Sequence, residues 1–252
     1  MSDCQFNLGE KMKKILFVGI LFISTLVYSQ AQAEALPGES MAKGKAILAK
    51  AIQAMGGSAK IMAIKTVIQK GDWILTGSTL ALERITTFPD TYARQTVVSP
   101  SDKVIVEINN GKGTITNSKG SAPLDDDAAK DFLRIILRDP IYLWQNLDQY
   151  RVQYASAKRF AEHDTYELLI SGPTGCRYFI DRESFQIVGC QYTIVYPGGS
   201  SLIEERYSDF RAVAGVIFSF KTVQLGNGKI QIKKNFKEIK WEYIDSKETS
   251  LE

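Results

Sequence analysis

Histidine occurs only once in the 252 residues, at His163. A histidine-rich metal site is therefore excluded, and any hydrolase triad would hang on that one side chain. An excess of one charge sign is also missing. The 31 basic and 28 acidic side chains leave a formal charge of +3, too little for a protein that tracks phosphates by counterion release, so nucleic acid is not an expected partner. The His-x-x-Glu-His pattern of zinc peptidases does not occur. Asp125-Asp126-Asp127 lacks the alternating spacing and glycine of a calcium loop and reads instead as acid gathered at a helix start. With 44% hydrophobic and 23% charged residues the chain is globular. These absences lower the expectation of catalysis and of any cofactor or metal.

Apolar runs are short. The one of note, residues 15–28, holds 14 residues, below the roughly 20 that cross a bilayer. Lys13 and Lys14 precede it and Ser29-Gln30-Ala31-Gln32-Ala33 follows it, ending in a small-x-small pattern. Residues 1–33 therefore read as a secretory signal peptide, with cleavage after Ala33 and a mature chain of 34–252. No cysteine stands at that site, so no lipid attachment is expected and the mature chain should be soluble. Met12 followed by two lysines is the tidier start, which makes residues 1–11, Cys4 included, an upstream extension.

Periodicity organises the rest. Met41, Leu48, Ala51, Ile52 and Met55 form a helical stripe over 39–55 that Gly56-Gly57 ends, and 58–64 reads as a second short helix. Alternating segments at 66–75, 79–88, 92–98, 104–108 and 114–117 read as antiparallel strands, with Asn109-Asn110-Gly111 as a hairpin tip. Residues 125–137 return to helix, and Pro140 suits the first position of another, Pro140-Ile141-Tyr142-Leu143-Trp144. From Tyr150 onward the pattern is strand, for about eleven strands in all, in one domain with no linker and a frayed tail over 246–252. Such a sheet must curl or close, and the helices are the apolar surfaces available to cover it.

Two cysteines remain in CRYFIDRESFQIVGC. If residues 182–184 form the tip, 181 faces 185 and Cys176 faces Cys190, the geometry of a cross-strand disulfide. Two buried free thiols are the alternative. His163, in Glu162-His163-Asp164, reads as a solvated turn residue. Lys233, Lys234, Lys237, Glu238 and Lys240 read as a solvated edge strand guarded by charge, or as a patch for an acidic partner or anionic headgroups.

Specific residues then carry a resemblance. AKAIQAMGGSAKIMAIKTVIQKGDWILTG over 49–77, the Asp-turn hairpin after Cys176, and YSDFRAVAGVIFSF over 207–220 resemble, in the same order, segments of the LolA-like family of periplasmic lipoprotein-carrier and lipid-binding proteins. The resemblance spans the mature chain. It implies a mainly β (α+β) fold, a strongly curved antiparallel half-barrel capped by helices, with a hydrophobic cavity for an acyl chain or lipoprotein lipid. It further implies a monomeric, non-enzymatic periplasmic carrier serving outer-membrane lipoprotein or lipid transport, with a membrane-bound donor or acceptor protein. The same fold could instead act as an envelope-stress sensor or interaction module without cargo.

Alternation supplies candidate cavity residues: Leu80, Leu82, Val106, Phe218 and Phe220 on strands, together with Ile230 and Ile232. Trp73, Leu75 and Tyr92 join them from the early strands, and Phe132, Ile136, Leu143 and Trp144 from the helical insert that would act as a lid.

Overall fold

The computed structural model describes residues 37–196 and 199–243; the signal-peptide reading, the Met12 start, Cys4 and the tail after Tyr243 lie outside the described residues. Helix α1 spans Pro37–Met55 and α2 spans Ser58–Ala63. The compact unit that begins at Ser40 buries Ile47, Leu48, Ala51 and Ile52 of α1, one stripe at helical spacing. Gly44 lets that helix rest on strand backbone: a Cβ there would stand 2.7 Å from the amide nitrogen of Tyr154.

Six strands follow: β1 (Ile64–Leu75), β2 (Ser78–Thr87), β3 (Tyr92–Val98), β4 (Lys103–Asn109), β5 (Lys112–Asn117) and β6 (Gly120–Pro123). The β4–β5 tip is Asn110-Gly111, both with positive φ, the backbone that a two-residue hairpin requires. The helical insert comprises α3 (Asp126–Leu137) and α4 (Pro140–Gln145). Asp125 caps α3 by accepting from Ala128 N at 2.9 Å, and Asp139 caps α4 by accepting from Ile141 N at 2.8 Å. Seven more strands complete the chain: β7 (Arg151–Phe160), β8 (His163–Ser171), β9 (Cys176–Asp181), β10 (Ile187–Tyr196), β11 (Gly199–Val213), β12 (Val216–Gly226) and β13 (Lys229–Tyr243).

All thirteen strands form one antiparallel sheet in the order β6-β5-β4-β3-β2-β1-β13-β12-β11-β10-β9-β8-β7. It is open and strongly curved. The count exceeds the expected eleven, in part because Gly120–Pro123 has no strand-forming composition and is held extended by its pairing with β5. Each strand pairs with its chain neighbour except at one seam, where β1 pairs with β13. Gly71 sits at a bulge in that seam, so close to β13 that a Cβ would fall 2.6 Å from the Cα of Phe236. The main core lies on the concave side, joining the stripe of α1 to Tyr178, Ile180, Val216, Phe218, Leu143 and Ile136. A small second cluster, Phe160, Phe179 and Val188 with Phe210 against it, is separate from it.

Three expectations are corrected here. The cysteines are free thiols, both buried, and do not face each other. The tip after β9 is one residue longer than expected, with Asp181 N donating to Gln186 O, and a bulge between Ile187 and Gly189 adds another residue. Together these move the register by two, so that Cys190 faces Tyr178. His163 is exposed as expected but is not in a turn: it opens β8, and its Nδ1 lies 3.0 Å from Asp181 Oδ2. Finally β13 is no edge. It pairs on both sides, with β1 and β12, and the charged stripe therefore lies in the middle of the sheet.

Candidate functional site

Between the concave face and the α3–α4 insert lies a cavity of about 550 Å³, within the range of about 300–1,000 Å³ typical of small-molecule sites. Its apolar wall is built by Phe132 and Ile135 of α3, Ile194 of β10, Phe218 of β12 and Phe236 of β13, with Met55 from the end of α1. On β12 the buried positions are Val216, Phe218 and Phe220, every second residue, with Ile217 and Ser219 reaching the cavity beside Phe218.

The same parity brings charge inward. Arg84 lies between Leu82 and Thr86 on β2, Glu205 precedes Tyr207 by two on β11, and Lys234 precedes Phe236 by two on β13. Glu205 accepts from Tyr207 Oη at 2.8 Å and from Tyr192 Oη at 3.4 Å, and its Oε1 stands 3.7 Å from Lys234 Nζ. Burial pushes the Glu205 carboxyl up, but Lys234, the Tyr207 hydroxyl and the charges of Arg84 and Arg138 outweigh it and hold the group below the usual carboxylate range. Burial drives Lys234 down to about 8 against the pull of Glu205. At the α3–α4 junction, burial lifts Asp139 to about 6 despite the amide of Ile141 and the charge of Arg84. Arg138, beside it, places its guanidinium 3.5 Å from the ring centroid of Tyr192.

Of the expected cavity residues, Phe132 and Phe218 line the cavity. Leu82, Ile136, Leu143 and Phe220 are buried in the surrounding core. Trp73 packs against that core. Trp144 turns its Nε1 to Ser58 Oγ at 2.9 Å, and Tyr92 donates to Glu107 at 3.4 Å. Leu75, Leu80 and Val106 are half-buried along β1, β2 and β4. Ile230, expected inward, is exposed, because a register irregularity beside it separates it from the alternation of Lys234 and Phe236.

The charged members were missed. Their signal was present in the parity of Arg84 with Leu82 and of Lys234 with Phe236, which puts a cation on the apolar side of each strand. Among the described residues no cluster suited to a metal ion occurs. No helix there is long and apolar enough to cross a membrane.

By sequence, no protein-family model and no curated protein matches this chain. Solved structures do match in fold. A domain described as an outer-membrane lipoprotein-sorting protein, from Vibrio parahaemolyticus, superposes with a TM-score of 0.55 at 11% identity, covering 84% of this chain and 95% of its own. A LolA superfamily protein from Nitrosomonas europaea gives a TM-score of 0.52 at 12% identity, over 81% of this chain and 96% of its own. The fold is that of the LolA superfamily. A DUF1329 family protein from Desulfovibrio piger shares it as well, with a TM-score of 0.54 at 10% identity over 79% of this chain and 93% of that one. In this LolA-like sheet the cavity under the helical insert has room for a small ligand between apolar walls.

Proposed function

We propose that this chain is a non-enzymatic carrier that holds an acyl chain or lipoprotein lipid in the cavity under α3 and α4. The supporting observation is the cavity itself: about 550 Å³ beside Phe132, Phe218 and Phe236, left open in a core that elsewhere packs Tyr178, Leu48 and Leu143 with almost no exposure. Burying methylenes there supplies about 0.8 kcal/mol each. In this reading the chain is exported by the signal peptide of residues 1–33, works as a soluble periplasmic monomer, and exchanges cargo with a membrane-bound donor or acceptor protein.

Native mass spectrometry with lipid extraction on the chain purified from its own envelope tests this. A copurifying acyl lipid near one-to-one supports the carrier. A protein that comes empty and takes up no fluorescent fatty acid overturns it and turns attention to an interaction module of the same fold. For that reading the exposed Val195 and Leu202, on the paired strands β10 and β11, are the surface to examine. Phe218→Asp removes uptake if Phe218 touches the chain.

A further inference from the structure

The cavity is not lined as an all-hydrocarbon cargo would require. Arg84, Arg138 and Lys234 line it against the carboxylates of Glu205 and Asp139; Asp131, also on the wall, is engaged by Arg134 one turn along α3. Three cations therefore face two carboxylates. The carboxylates are already engaged: Glu205 by Tyr207, Tyr192 and Lys234, and Asp139 by the amide of Ile141 at the start of α4. Arg138 lies over the ring of Tyr192 and Lys234 beside Glu205, which leaves Arg84 as the cation left over. It donates to a neutral acceptor, Gln95 Oε1, at 2.8 Å, and its buried Nε has no partner among the described residues. Trp73, opposite Lys234 in the β1–β13 ladder, likewise buries an indole N–H with no partner.

A buried guanidinium with an idle N–H and one uncompensated charge is costly unless something anionic completes it. Burial lowers the Arg84 pKa while Glu205 and Asp139 oppose it, yet a guanidinium keeps its charge at any ordinary pH. The excess is one charge, which suits a monoanion better than a doubly charged phosphate monoester. Phe132, Phe218 and Phe236 supply an apolar run beside it.

We infer that the cavity takes an amphiphile with an anionic end, of the long-chain carboxylate class, seating its carboxylate on Arg84 and its chain against the aromatic wall. This rests on the carrier reading and adds the polar end of the ligand to it. Arg84 contacts the ligand directly, and Lys234 holds Glu205 away from competing for it.

The test is calorimetric titration of the full chain with palmitate, methyl palmitate and a lysophosphatidate of equal chain length, repeated on Arg84→Met and Arg84→Lys. A charge-assisted buried contact is expected to make palmitate bind roughly ten- to a hundred-fold tighter than its methyl ester. Arg84→Met should bring palmitate down to the level of the ester and leave the ester unchanged, while Arg84→Lys recovers part of the difference. Equal binding of acid and ester by the unmodified chain overturns the inference and leaves the carrier reading standing, whatever the variants do. Lysophosphatidate binding tighter than palmitate overturns the choice of carboxylate in favour of a phosphate headgroup. No binding of any of the three overturns the carrier reading itself.

Discussion

Glu205 and Lys234 meet at 3.7 Å from strands that are not neighbours. Glu205 lies opposite Gln224 and Lys234 opposite Thr222, so the pair reaches over β12 on the cavity side. Removing one partner strands the other. Lys234→Met should cost about 3 kcal/mol in urea unfolding, because Glu205 is then left charged under protein. Lys234→Met combined with Glu205→Gln should recover most of that loss. Equal costs for the single and double variants would show that the pair is solvated through the cavity and contributes little.

Asp139 links stability to pH. In the folded chain its carboxyl keeps a proton up to about 6, against 3.8 as an ordinary aspartate. Its contribution to stability is therefore complete below pH of about 4 and is lost as pH rises through about 6, a difference on the order of 3 kcal/mol. Asn is as good an N-cap as Asp. Asp139→Asn should then match the parent near pH 4 and become the more stable protein by pH 7, read as the difference between two denaturation series. That difference isolates Asp139 from Glu205, Asp181 and Glu167, whose carboxyls are held low and act with the opposite slope. A constant difference across the range would place Asp139 in water.

The thiols should be silent in the native state. Cys176 beside it and burial both push the Cys190 thiol up, so little thiolate forms near neutral pH. A maleimide added to the folded chain should label neither Cys176 nor Cys190 over hours, and should label both once urea is added without reductant. No labelling even in urea would mean that the two sulfurs are bridged, against the diagonal register of the structure.

Gln145 ties the insert to the rest of the fold. Its Nε2 donates to Ile61 O at 3.0 Å and Ile64 O at 2.8 Å, while Trp144 beside it reaches Ser58. Gln145→Leu leaves those carbonyls unpaired and should cost about 1–3 kcal/mol. Amide exchange should accelerate in α4 more than in β8 or β9, followed by mass spectrometry. Uniform acceleration across the sheet would mean that α4 does not open on its own.

Local chemistry was the legible part of this fold. Asn110-Gly111 marks a hairpin because few other pairs tolerate its backbone, Asp125 announces α3, and Pro140 sits in the first turn of α4. The one-sided curl and the helical cover follow from counting apolar faces. Nonlocal features were not legible. Whether β13 lies at an edge depends on which strand it meets, and that partner, β1, stands at the other end of the domain. Two cavity residues, Phe132 and Phe218, were reached from alternation and the amphipathic insert. Arg84 and Lys234 were not, because a charge inside a sheet is normally read as a sign of the outer face. The cysteine register failed on two added residues, one at the Asp181 turn and one at the bulge before Gly189, neither of which changes the composition of the hairpin.

The seam between β1 and β13 also sets an order of events. Ile64 pairs with Tyr243 and Ile74 with Lys233, so β1 waits with one bare side until β13 has been synthesised, while β2 to β6 can zip up as a meander from its other side. Contacts so distant along the chain are slow to form. The strand that joins the two wings is also the strand that carries Lys234 and Phe236. The cavity wall at Lys234 and Phe236 is therefore missing until that pairing is made, and the hollow under the insert exists only once both wings are joined.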